Sequence, residues 1–203
     1  IKVGAGEEPF KVHQDILCQR SRFFRNAFKG QFREAKEGSM KLRDTDVDIF
    51  RLIMFWLYRD EIPKSSLHTG VPDASTGETP NDRAFSKIYI FAEVYDFPAL
   101  RNRVMAELFT GYGAGTIGLS FPNATIIRAF GELREDSALC RFIVDVAARQ
   151  WRPDRDCPAE VRQRVELPHA YLLALATMLA KRSHCFGSFE DRLKLEDYIE
   201  FVS

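Results

Sequence analysis

Hydrophobic and polar residues alternate with a period of two in three short stretches near the N-terminus, the pattern of half-buried strands. The stretches are residues 1–3, residues 10–12 and residues 39–43. Between the first two, residues 4–9 read Gly-Ala-Gly-Glu-Glu-Pro, a composition typical of turns. The pattern therefore predicts a β-hairpin and, later in the chain, a third strand.

Apolar residues recur at helical spacing through most of the first half of the chain. Ser21 interrupts the first helical run and is expected to cap a second short helix. Asp46 is expected to cap the next helix, residues 47–58, whose apolar residues cover most of its circumference. A helix of that kind is usually central to a core. Two further helices are predicted, around residues 85–95 and from Pro98 onward.

A glycine-rich stretch separates this first region from a second one that is predicted to be all-helical. The pattern divides the chain into residues 1–110, a linker at 111–122 and a helical region at 123–203. Capping residues and prolines mark the helix starts in the last region. The predicted helices are 124–133 capped by Asn123, 138–151 capped by Ser137, 158–165, 170–181 and 190–201.

Residues 64–83 differ in character from the helical patterns on either side. They are rich in serine, threonine, glycine, aspartate and proline, and they contain almost no large apolar residue. This composition predicts a flexible insertion loop.

Composition and charge narrow the classes of function. The chain has 203 residues, of which 45% are hydrophobic and 29% are charged, as in a globular protein. Lysine and arginine number 29, and so do aspartate and glutamate, so the formal net charge is zero. Nucleic-acid binding as the main task would need a surplus of basic charge, so it is not expected. A membrane span is not expected either, because no run of 18 apolar residues exists.

The four cysteines and the N-terminal residues predict an intracellular protein, in the cytoplasm or the nucleus. The cysteines are far apart in the sequence and form no CxxC pair, unlike the disulfide framework of a secreted domain. The sequence also begins without the charged and apolar pattern of a signal peptide.

Motifs of catalysis are missing from the sequence, so we expect neither an enzyme nor a bound cofactor nor a small-molecule substrate. The sequence has no GxSxG, HExxH or Walker A pattern. The glycine-rich run at residues 111–118 does not lie between a strand and a helix of a βαβ unit. A zinc site from Cys157, His169, His184 and Cys185 stays open as a minor alternative, although their spacing fits no recognised pattern.

Four short motifs then appear in a specific order along the first 110 residues. Residues 10–17 fit F-x-V-H-x-x-x-L, residues 21–24 fit S-x-F-F, residues 56–58 read W-L-Y, and residues 92–100 fit A-x-x-Y-x-x-x-x-L. In this order they resemble a BTB/POZ domain. The whole chain resembles fungal BTB proteins that carry a helical C-terminal extension.

The resemblance implies an α+β fold, a small sheet capped by a helical cluster, followed by an all-helical region. It also implies a non-catalytic protein–protein interaction domain that forms homodimers or recruits a partner. The dimer-interface candidates are Ile1, Val3, Ile16, Phe23, Phe24 and Phe28. The three phenylalanines fit core packing as well as an exposed contact, and their residue type leaves both interpretations open.

A second function that the resemblance implies is that of a substrate adaptor in a cullin-type ubiquitin ligase. In the family, that surface lies near the end of the apolar helix and near the helices that follow. The partner-interface candidates are Tyr58, Asp60, Glu61, Ile62, Tyr95 and Phe97. Tyr58 also fits core packing.

Overall fold

A three-stranded sheet opens the chain in the computed structural model, which describes residues 1–63, 71–113, 120–184 and 193–201. The strands are β1 (Lys2–Val3), β2 (Glu8–Pro9) and β3 (Lys41–Leu42), in the order β2-β1-β3. β1 pairs antiparallel with β2 and parallel with β3. The hairpin and the third strand are confirmed.

The second strand lies earlier than the predicted residues 10–12. Gly4 and Glu7 both adopt positive φ angles, 73° and 50°, so the turn between the strands is tight. Lys2 therefore lies opposite Pro9, and Phe10 continues the pairing with Ile1: its amide donates to the Ile1 carbonyl at 2.7 Å, and its carbonyl accepts from the Ile1 amino group at 2.8 Å.

Ten α-helices account for most of the described residues. The first six are α1 (Gln14–Arg20), α2 (Arg22–Lys29), α3 (Arg33–Glu37), α4 (Val47–Arg59), α5 (Pro80–Val94) and α6 (Pro98–Tyr112). The other four are α7 (Asn123–Glu132), α8 (Ala138–Gln150), α9 (Pro158–Gln163) and α10 (His169–His184). Three short 3₁₀ turns follow α8, α9 and α10, at Pro153–Arg155, Arg164–Glu166 and Leu195–Asp197.

Side-chain caps fix several of these helix starts. The Ser21 hydroxyl accepts from the Phe24 amide at 3.0 Å, and the Asp46 carboxylate accepts from the Asp48 amide at 3.0 Å, so both predicted caps are confirmed. Thr79 and Asp82 form a reciprocal capping box that starts α5 at Pro80. The predicted loop at 64–83 is therefore too long at its C-terminal end, and residues 64–70 lie outside the described residues.

The C-terminal region is helical as predicted, with two local differences. Ser137 caps α8 by accepting from the Cys140 amide, but Asn123 is the first residue of α7, not its cap. Its amide nitrogen instead donates to the Glu160 carbonyl at 2.8 Å. The predicted helix at 190–201 is wrong for the described residues 193–201, which contain only the 3₁₀ turn.

One continuous hydrophobic core joins the sheet, the first helices and the C-terminal helices. Trp56 of α4 is almost fully buried, as expected of a central helix. The core extends into the C-terminal region where Phe109 of α6 stacks on Phe142 of α8 with ring centroids 5.7 Å apart. The C-terminal helices therefore pack directly on the first region.

Candidate interaction surfaces

Three of the six predicted dimer contacts have side chains inside the core. Val3, Phe24 and Phe28 are all buried. The Phe24 ring packs against Tyr95 and Phe97, each with a centroid distance of 5.7 Å. These three side chains pack inside the core and cannot contact a second copy of the folded chain. The dimer-interface candidates are therefore corrected to the remaining three residues.

The remaining three candidates, Ile1, Ile16 and Phe23, define what we call the α1–α2 surface. Ile1 and Ile16 are half-buried, whereas Phe23 is 40% exposed. The Phe23 ring meets Tyr95 edge-on at 5.2 Å, so it stands on a rigid aromatic base. Neighbouring residues on a helix point about 100° apart, which is why Phe24 turns inward while Phe23 faces outward.

The C-terminal end of α4 forms a second surface, and α1 holds it in place. Tyr58 is 45% exposed, and its hydroxyl lies 2.8 Å from Nδ1 of His13. Asp60 ends the helix in the left-handed conformation and binds Arg20 at 2.6 Å. The Arg20 guanidinium also lies over the Trp56 ring, 5.2 Å from its centroid.

The other partner candidates divide between surface and core. Glu61 is exposed and Tyr95 is half-buried. Ile62 and Phe97 are buried, so neither side chain is available to a partner of the folded chain. We call Phe55, Tyr58, Asp60 and Glu61 the α4-end surface.

Phe55 is a member of this surface that the sequence analysis did not single out. It is 39% exposed and lies under the Arg59 guanidinium at 5.7 Å. Phe55 and Tyr58 are three residues apart and share one helix face. A signal was present, because a helix that is apolar over most of its circumference exposes apolar side chains where no other element covers it.

A buried ion pair connects the segment before α5 to the C-terminal helices. The Glu78 side chain is fully buried, and Arg128 of α7 donates to both of its oxygens, at 2.6 and 2.8 Å. Thr125 donates to the same carboxylate at 2.7 Å. Burial by itself raises the pKa of Glu78, but the hydrogen bonds and charge of its partners outweigh it and leave the pKa lowered.

The comparisons with known proteins identify the first region. The sequence model of the BTB/POZ domain family matches residues 1–106, about half of the chain. The chain belongs to the BTB/POZ domain family. BTB domains are protein–protein interaction modules, commonly homodimeric and generally non-catalytic. We call the matched residues the BTB unit.

A curated relative from Mus musculus, "TD and POZ domain-containing protein 3", is 34% identical over 65 residues. The match covers 32% of this chain and 18% of the relative, so the chain spans a small part of that protein's length. No solved structure matches. The resemblance to fungal BTB proteins stays a prediction.

The last described residues return to the BTB unit. Arg101 of α6 is buried and donates to both carboxylate oxygens of Glu200, at 2.8 and 2.7 Å. Asn102 exchanges two hydrogen bonds with the Glu200 backbone. Tyr198 donates to Asp145 of α8 at 2.6 Å. The segment thus joins α6 to α8.

The described residues contain neither a cluster of metal ligands nor a helix that could span a membrane. Within the described ranges, no three or more histidine, cysteine, aspartate or glutamate side chains cluster as a metal site would require. The zinc alternative stays untested, because Cys185 and the His184 side chain lie outside the described residues. Among the described helices, none is long and apolar enough to span a bilayer.

Proposed function

We propose that this chain is a non-catalytic interaction module that self-associates through the α1–α2 surface. The observation that carries the proposal is Phe23, a large aromatic side chain that is 40% exposed on a fixed base. Rigid aromatic anchors of this kind contribute much of the binding energy at protein interfaces. A two-fold dimer would use the same surface on both copies.

The surroundings of Phe23 support the same proposal. Arg22 and Asp96 form an ion pair at 3.2 Å beside it, so the apolar centre has a charged rim. An apolar centre with a polar rim is the ordinary composition of a protein interface. Ser21 fixes the start of α2, because its hydroxyl both accepts from Phe24 and donates to the Tyr95 carbonyl at 2.6 Å.

Replacing Phe23 with glutamate is expected to convert dimers to monomers. Each copy would bring an uncompensated charge into the apolar contact, and we expect the dimer to weaken at least about tenfold. Light scattering on a sizing column at low protein concentration should give a mass near twice 23.3 kDa for the wild type and near 23.3 kDa for the variant.

Phe32→Glu is the matched control, since Phe32 is also exposed but lies directly before α3 and is not a member of the α1–α2 surface. It should leave the mass unchanged. A wild type that stays monomeric at every concentration, or a Phe23 variant that associates as strongly as the wild type, would contradict self-association through this surface.

A second candidate function is that of an adaptor that binds a cullin through the α4-end surface. The observation in its favour is that two exposed aromatic rings share one helix face and are followed by two exposed acidic residues. Such a surface suits a partner with an apolar groove and a basic edge. The recruited substrate would bind elsewhere, on the C-terminal helices or on a further part of the protein.

Tyr58→Ala is expected to weaken the complex with a cullin N-terminal region about tenfold or more, because it removes an aromatic anchor. Asp60→Ala should have a smaller effect through lost charge complementarity. Isothermal titration calorimetry measures both, with Phe32→Ala as the control that should bind like the wild type. If the wild-type chain shows no binding at high micromolar concentration, the adaptor function is excluded for this surface.

A further inference from the structure

Helix α10 has an apolar face on each side. Tyr171 and Leu175 are buried and face the α7 and α8 helices. On the outer side, Leu172, Leu173 and Leu179 are 45%, 59% and 45% exposed, and the exposed Ala176 and Ala180 lie between them. No other described element covers this outer face.

The outer face is too regular to be a scatter of single exposed residues. Leu172, Ala176 and Leu179 repeat at intervals of four and three, the spacing of a helix–helix contact. No Asp, Glu, Lys or Arg occurs from Leu167 to Ala180, although the outer face of a surface helix ordinarily carries charged residues. A contiguous exposed apolar face of this kind marks an interaction site.

We propose that a second copy of this chain covers the outer face of α10, with the two α10 helices antiparallel about a two-fold axis. The first argument is steric. In an antiparallel register centred between Ala174 and Leu175, Leu173 of one copy lies opposite Ala176 of the other. By symmetry this large-on-small contact occurs twice, which lets the helices approach closely.

The second argument is charge complementarity at the two ends of the helix. Glu166 precedes α10 and Lys181 lies in its last turn, and both are exposed. Neither forms an ion pair with the residues the structure describes. Along α10 itself, His169 and Lys181 are about 18 Å apart, so the two charges lie at opposite ends of the helix. In the register above, an antiparallel pair places Glu166 of each copy near the last turn of the other α10, within two residues of Lys181, whereas a parallel pair would bring like charges together.

This contact is separate from the α1–α2 surface, because α10 packs on α7 and α8 whereas α1 packs on α2 and α4. One helix face is smaller than the roughly 800 Å² per partner of a standard interface, so the contact is weak alone. A chain with two independent two-fold contacts links dimers into larger assemblies, a consequence that rests on the proposed function.

Sedimentation velocity over a concentration series tests the contact by exchanging the two charges. Lys181→Glu and Glu166→Lys should each weaken the α10 contact a few-fold, since two exposed ion pairs are lost per dimer. The double variant should recover wild-type association, because the exchanged charges again face each other. Ala176→Glu, at the centre, should weaken the contact at least about tenfold, whereas the exposed control Val71→Glu should not.

The same series in a Phe23→Glu background separates the two interfaces. If the α10 contact exists, this background keeps a concentration-dependent dimer that Ala176→Glu removes. If Phe23→Glu abolishes all self-association, or the double charge variant fails to recover, the α10 proposal is overturned while the α1–α2 surface stands. If Ala176→Glu abolishes self-association and Phe23→Glu does not weaken it, the α1–α2 proposal is overturned while the α10 contact stands. Unchanged melting temperatures confirm that these exposed substitutions leave the fold intact.

Discussion

Replacing Arg128 with methionine is expected to lower the free energy of unfolding by about 3–5 kcal/mol, because it leaves a buried carboxylate without its partner. The Glu78 side chain is fully buried, and Arg128 donates hydrogen bonds to both of its carboxylate oxygens. The same arginine donates to the Ser86 hydroxyl at 2.8 Å, so a second buried polar group loses a partner. Urea denaturation followed by circular dichroism measures the loss.

Two variants show whether the loss comes from the buried charge. Arg83 lies 3.5 Å from the same carboxylate but its side chain is 46% exposed. Arg83→Met should therefore cost less than about 1 kcal/mol. Glu78→Met combined with Arg128→Met should recover most of the stability, because apolar residues can replace a buried ion pair at little cost. Equal losses for the Arg128 and Arg83 variants would contradict a dominant role of the buried pair.

The pH dependence of stability provides an independent test of the same ion pair. The pKa of Glu78 is lower in the folded chain than its ordinary value of 4.5. Its contribution is therefore fully present above that value and is lost as the pH falls through the lower folded pKa. In the Arg128 variant, burial without a partner raises that pKa, so acidification favours folding at this residue. The stability difference between the two proteins should shrink as the pH falls, first through the raised pKa of the variant above 4.5 and then through the lowered pKa of the wild type below it.

The sequence predicts the local features of the fold well because local contacts determine them. Ser21, Asp46 and Ser137 cap helices through hydrogen bonds that span two or three residues, so their residue type and position suffice. The order of four short motifs likewise indicates the family, since each motif is a local packing requirement.

The features that the sequence did not predict depend on contacts between distant residues. Glu78 lies in a polar stretch that resembles a loop, and its partner Arg128 is 50 residues away. The final segment carries a helical pattern, but the Glu200 carboxylate binds Arg101, 99 residues earlier, and the described residues 193–201 contain one 3₁₀ turn and no α-helix. Tertiary contacts of this kind override local propensity.

The candidate surfaces were only partly predictable for a related reason. Phe23 and Phe24 are the same residue type in adjacent positions, so their sequence cannot tell which one faces the core. The phase of α2 decides it, and that phase depends on Tyr95 and Phe97 from the far end of α5 and the start of α6. The same holds for Ile62, whose burial depends on the elements around it.

Replacing Phe24 with alanine is expected to destabilise the chain by about 3–5 kcal/mol, because a fully buried aromatic ring leaves a cavity. Four other rings surround Phe24: Phe23, Phe28, Tyr95 and Phe97. They come from α2 and from the α5–α6 junction and cannot all move to fill the space. Urea denaturation at several protein concentrations measures the loss and separates it from any change in self-association.

Phe23→Ala is the matched control, since it removes the same side chain from the neighbouring, exposed position. It should cost only about 1 kcal/mol of stability. The larger effect of Phe23→Ala should be a weaker dimer. The folded fraction of Phe24→Ala, in contrast, should still form dimers. The two adjacent phenylalanines would then divide the functions of α2 between folding and binding. If Phe24→Ala costs no more stability than Phe23→Ala, Phe24 does not belong to the core and returns to the set of contact residues.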